Sequence, residues 1–150
     1  MDDFSLFDSG SEPVAPVFFS DETGKPFTNC KLCNKELVES NSVYTIEKAY
    51  VRNVEKNENK LIFEFVYCND CMEELRGSIS KESMQRITAY FQSNSNIIER
   101  YEKFSKSNLF DADSWINNCI INNSDISEIE EYQLYCSCKG GNMLLILLPI

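Results

Sequence analysis

Cys30-Lys-Leu-Cys33 and Cys68-Asn-Asp-Cys71 are two C-x-x-C pairs, and residues 34–67 between them are long enough to hold one complete supersecondary unit. At this spacing two thiols share a tight turn and point the same way, so two such turns brought together offer four sulfurs to one ion. The competing use of such a pair, thiol-disulfide exchange, goes with a single pair at a helix start inside a βαβ pattern, and this chain has two pairs and no such pattern. The sequence also contains no His. That excludes every His-containing zinc site and every Ser-His or Cys-His nucleophile pair. The expectation is therefore one structural Zn²⁺ per chain held by Cys30, Cys33, Cys68 and Cys71, with an iron-sulfur or other metal as the alternative. With all four positions filled by protein thiolates, such an ion folds the chain rather than activating water.

The chain around the pairs supplies regular elements. Ser42–Arg52 and Lys60–Tyr67 are rich in β-branched and aromatic residues, and the polar run 53–59 between them reads as the turn of a β-hairpin. Asp70 followed by Glu73 is an Asx version of the capping box and predicts a helix through about Arg76, stopped by Gly77. Ser80 caps a second predicted helix over Lys81–Gln92, with Met84, Ile87 and Phe91 on one face.

With the hairpin after it, Phe27-Thr-Asn-Cys-Lys-Leu-Cys-Asn-Lys-Glu-Leu37 resembles the zinc knuckle of treble-clef zinc proteins. Knuckle, hairpin, and a helix whose first turn carries the last ligand is the order of that module, and the resemblance covers about residues 27–92. It implies a fold motif shared by many unrelated functions, not an activity. Asn34 stands where such knuckles commonly have Gly, and Asn tolerates the left-handed φ needed there.

Further along, Asn96 with Glu99 predicts a helix in which Ile97, Tyr101 and Phe104 share a face. Asp111 or Asp113 predicts another through Trp115, Cys119 and Ile120. Tyr132, Leu134 and Cys136 alternate with polar neighbours, and Lys139-Gly-Gly-Asn142 is a primed-turn sequence leading into Met143–Leu148, so the chain ends in a second hairpin. The fold class expected is α+β: a treble-clef-like knuckle, hairpin and helix, then short helices and a C-terminal β-hairpin. Residues 27–150 form one zinc-stabilised domain, with the zinc module at 27–92 and the helical and hairpin part at 93–150. Residues 1–26 are an acidic segment read as flexible, or alternatively as an acidic-aromatic stretch that docks on a partner or on its own domain.

At 150 residues the chain can bury a real core. Its formal charge of −10 belongs to the two ends, because residues 27–106 hold twelve acids and twelve bases. That makes bare attraction to a nucleic-acid backbone or an anionic membrane a poor expectation. The sequence has neither a signal peptide nor an apolar run long enough to span a bilayer, so a cytoplasmic location is expected. The acids at 111 and 113 and at 128–131 suit helix starts, and Gly140-Gly141 is followed by no helix that could make a phosphate loop.

No catalytic set emerges, and the chain reads as a non-enzyme: a zinc-stabilised adaptor or protein-binding protein that meets a protein partner through its acidic ends or a hairpin edge. An inhibitor or immunity-type protein that covers a basic surface is the narrower version of that reading. A nucleic-acid-binding regulator using Arg76, Lys81 and Arg86, and a thiol-redox protein using Cys136 and Cys138, are the alternatives. Cys119 is expected on the apolar face of a helix. Cys136 and Cys138 share a face if they lie on one strand, where they could pack, pair, or join Cys119 in a second site.

Overall fold

The computed structural model describes residues 12–94, 99 and 116–144. The first hairpin is β1 (Val43–Asn53) and β2 (Glu58–Cys68), followed by α1 (Asn69–Gly77) and α2 (Lys81–Asn94). The second is β3 (Glu131–Lys139) and β4 (Asn142–Leu144). β3 pairs antiparallel with β1, from Val43 opposite Lys139 to Val51 opposite Glu131. The two hairpins thereby merge into one four-stranded antiparallel sheet of order β2-β1-β3-β4. The predicted helix from Asn96 and the end of the last strand beyond Leu144 lie outside the described residues, as does Trp115.

Strand alternation decides where the core sits. Tyr44, Ile46 and Lys48 of β1 face the same way as their cross-strand partners Cys68, Val66 and Glu64 of β2 and Cys138, Cys136 and Leu134 of β3. Most of these are buried, and Val14, Phe18, Leu37 and Met143 join them in one core cluster. Ser80 caps α2 as expected, accepting from the Ser83 N–H at 3.1 Å. Met84, Ile87 and Phe91 are half-covered on that helix, none of whose residues is buried.

Residues 12–25, the second half of the acidic segment, pack on the core face. Val14 N–H donates to Gly141 O (3.1 Å) and Met143 N–H donates to Glu12 O (2.8 Å), so this stretch closes the outer edge of β4. A buried lysine holds the rest. Lys48 is 1% exposed, and its Nζ donates to Val17 O (3.2 Å), Phe19 O (2.7 Å) and Asp21 Oδ1 (3.2 Å). Glu64 Oε2 lies 3.6 Å from the same Nζ, and the Glu64 carboxylate also accepts from Asp21 N–H. Burial alone would lower the Lys48 pKa, but the neighbouring Tyr50 and Asp21 raise it on balance. The ammonium therefore stays charged and ties three backbone or carboxylate oxygens of the segment to the sheet.

The β3–β4 turn shows a second tertiary constraint. Gly140 has φ +58° and its neighbour Gly141 does not have positive φ, the pattern of a type II′ turn. A Cβ at Gly140 would lie 2.6 Å from Asn41 Oδ1 and 3.4 Å from Val38 O, so the loop after the first cysteine turn leaves no room for a side chain.

Lys48→Ala should destabilise the fold by about 3–5 kcal/mol, because it leaves Glu64 without its buried partner. Hydrogen exchange should then accelerate first in residues 12–25. Unchanged protection there would show that the lysine does not anchor the segment.

Candidate metal centre

The first cysteine pair sits on a turn built by local hydrogen bonds. Cys30 N–H donates to Lys35 O and Asn34 N–H to Cys30 O, both at 2.9 Å, and Leu37 N–H donates to Thr28 O at 2.8 Å. Asn29 Nδ2 donates to Asn34 O at 3.1 Å. Asn34 has φ +63°, the left-handed conformation that its position in the turn implied. The Glu36 carboxylate accepts from the N–H groups of Val38, Glu39 and Ser40 at 2.7–2.8 Å, which terminates the turn and holds this carboxyl below the usual carboxylate range. Lys31 N–H donates to Val66 O (2.9 Å), docking the turn against β2.

The second pair sits where β2 runs straight into α1. Cys68 is the last residue of the strand and also the helix N-cap, with no side-chain capping hydrogen bond. Asp70 was expected to cap this helix and instead lies in its first turn, where its carboxylate is 3.8 Å from Lys35 Nζ. No loop separates strand from helix, so the N-cap position falls on the last strand residue, Cys68, rather than on Asp70, and Cys71 falls in the first turn beside it.

The four sulfurs converge. Cys30 Sγ is 3.8 Å from Cys71 Sγ, Cys33 Sγ is 3.7 Å from Cys68 Sγ, and all four lie within 4.8 Å of one another. A tetrahedron with metal–sulfur bonds of about 2.3 Å has an edge of about 3.8 Å, so the spacing fits a zinc-like ion, and it is far too long for disulfides. Cys30, Cys68 and Cys71 are buried while Cys33 is exposed, leaving one approach from solvent.

Four sulfurs this close cannot all ionise without a cation, and the thiols divide accordingly. Burial pushes Cys30 up, but N–H groups of Cys33, Cys68 and Leu32 aimed at its sulfur bring it down to about 6. Burial and the neighbouring thiols push Cys71 far up. At Cys33 the Lys35 N–H lowers the pKa, and desolvation with the Cys30 and Cys68 thiols raises it on balance.

Residues 118–125 repeat the first turn. Asn118-Cys-Ile-Ile-Asn-Asn-Ser-Asp125 aligns with Asn29-Cys-Lys-Leu-Cys-Asn-Lys-Glu36, and the hydrogen bonds correspond. Cys119 N–H donates to Ser124 O, Asn123 N–H to Cys119 O, and Ile126 N–H to Asn117 O. Asn118 Nδ2 donates to Asn123 O (3.1 Å), Asn123 has φ +61°, and Asp125 accepts from Ser127 N–H as Glu36 does from Val38. Asn122 stands in the place of Cys33. Cys119 was expected on a helix and instead sits in this turn, because four asparagines between 117 and 123 favour turn conformations over helix. The repeat was legible as Asn-Cys-x-x-x-Asn-x-acid.

Cys136 and Cys138 do share a face of β3, with sulfurs 3.6 Å apart. The Cys138 thiol and burial push Cys136 up. Cys119 does not join them, since the four-cysteine group is the one cluster of three or more Cys, Asp or Glu ligands among the described residues.

Metal analysis should find one zinc per chain, and chelation should unfold the part around residues 27–92, since structural zinc contributes roughly 10–16 kcal/mol. Cys33→Ser or Cys71→Ser should abolish zinc retention while Cys119→Ser leaves it intact. Equal loss from all three would refute the ligand assignment. Protons compete with the metal for each sulfur, so apparent zinc affinity should fall as pH drops from 8 to 6. Zinc binding near neutral pH should release protons, because the raised thiols Cys33 and Cys71 must give theirs up, which calorimetry in buffers of different ionisation enthalpy would detect.

Comparison with known proteins adds no relative: no protein-family model, no curated protein and no solved structure matches this chain.

Proposed function

We propose that the chain is a non-catalytic, zinc-stabilised protein-binding protein, built on a treble-clef-like module formed by the Cys30 turn, the β1–β2 hairpin and α1. The observation that carries this reading is the closed donor set. Four protein sulfurs at tetrahedral spacing, three of them buried, leave zinc no open position for substrate or water.

The surface supports a protein partner in preference to nucleic acid. Two of the bases that could line a nucleic-acid face are paired within their own helices: Arg76 with Glu73 at 3.5 Å and Arg86 with Glu82 at 2.7 Å. The outer edge of β4 is closed by residues 12–14, whereas β2 has one strand neighbour among the described residues and presents exposed Ile62 and Phe63. Away from Val66, where the Cys30 turn is docked, that edge is open, and an open strand edge with apolar side chains is a template for an added strand of another protein. The acidity of the chain suits a partner with basic flanks, as an inhibitor or immunity-type protein would meet.

Affinity capture from native lysate with wild-type protein and with an Ile62→Lys/Phe63→Glu variant tests the reading. The variant should keep its zinc and lose proteins that the wild type retains. An identical set of captured proteins would reject the β2 edge as the docking element. Salt-sensitive retention of labelled DNA or RNA would favour the nucleic-acid reading instead.

A further inference from the structure

We propose that Cys136, Cys138 and Met143 form a second metal site, specific for a soft monovalent cation of the Cu(I) class. Cys136 and Cys138 lie two residues apart on β3 and point to the same face, with sulfurs 3.6 Å apart. Met143 is the direct cross-strand partner of Cys138 on β4, which puts its side chain on that face with a Cβ separation of about 4.5–5.5 Å. All three are nine-tenths or more buried, under the residues 12–20 that cover the core face. The tight turn at Gly140-Gly141 fixes the register that sets Met143 opposite Cys138.

Other uses of the pair fit less well. Residues two apart on a strand have Cα atoms about 6.6 Å apart, at the far end of disulfide reach, so closing the bond would distort the strand beside β1. Zinc would need further nitrogen, oxygen or thiolate donors, and no third Cys, Asp or Glu joins the pair among the described residues. Two thiolates and a thioether are the donor set that selects Cu(I) over harder ions. On binding, each thiol gives its proton to solvent and the ion takes both sulfurs with no change of oxidation state. A monovalent ion leaves the buried group with less charge than two unpaired thiolates. The four-cysteine centre is separate: Tyr44 of β1 stands between Cys68 on one side and Cys138 on the other.

The test is anaerobic titration of the zinc-loaded full chain with Cu(I) against bathocuproine disulfonate, with released zinc followed by a colorimetric chelator. One equivalent of Cu(I) taken up with zinc retained is the expected result, and a Cys136→Ala/Cys138→Ala variant should lose that equivalent while keeping its zinc. Failure of the wild type to compete for Cu(I), uptake matched by zinc release, or undiminished uptake by the double variant would overturn the site. If the double variant cannot hold zinc, Met143→Leu decides, because it keeps the core volume. Weaker competition for Cu(I) by that variant supports the site, and unchanged competition overturns it.

Discussion

Everything at one end of the sheet depends on four sulfurs held within 4.8 Å of one another. Thiolates at that separation repel strongly, and buried thiols resist ionisation, so without a cation the cluster settles into an uneven protonation pattern, with Cys30 lowered and Cys71 raised. A divalent ion removes the conflict at once, because each sulfur then faces positive charge rather than its neighbours. The cluster also joins elements that otherwise touch little. The Cys30 turn meets β2 through the Lys31–Val66 hydrogen bond, and α1 continues from β2 without a loop.

The repeated turn shows what part of this arrangement is local. Residues 118–125 reach the same backbone as 29–36 with Asn122 where Cys33 stands, so the turn does not need two cysteines to form. An Asn side chain spanning to the carbonyl five residues on, a left-handed Asn at that position and a terminal carboxylate cap are sufficient. The backbone of the Cys30 turn is therefore set by its own side chains, and what a bound ion would add is the tie between that turn and the Cys68–Cys71 junction of β2 and α1.

The opposite demand falls on the acidic segment. Residues 12–25 have little regular structure of their own and are held by contacts the sheet provides: the β4 edge, the apolar seats of Val14 and Phe18, and the Lys48–Glu64 pair. A buried lysine on an otherwise apolar strand face costs solvation, and the three oxygens it collects offset that cost only when the segment is in place. Covering the core and satisfying the lysine are thus one event.

How much of this was legible in the sequence follows from the range of each interaction. Both hairpins, α1, α2, the cysteine turn and the left-handed Asn34 follow from alternation, turn chemistry and, at α2, capping by Ser80, all between elements consecutive in the chain, and all can be read from it. The four cysteines that come together were legible because C-x-x-C spacing is itself a local geometric constraint. The pairing of β1 with β3, the docking of residues 12–25, the role of Lys48 and the placing of Met143 beside Cys138 were not, since each joins segments whose partners no local pattern names. Cys119 was misplaced because its spacing from Trp115 imitates a helix face, while the asparagines around it dictate a turn. What the amino-acid order determined alone was therefore the pieces and the four sulfurs, because those rest on short-range sterics and hydrogen bonding. What only the tertiary structure decided was which faces meet, because burial and buried charge are properties of surfaces that exist only once the strands have paired.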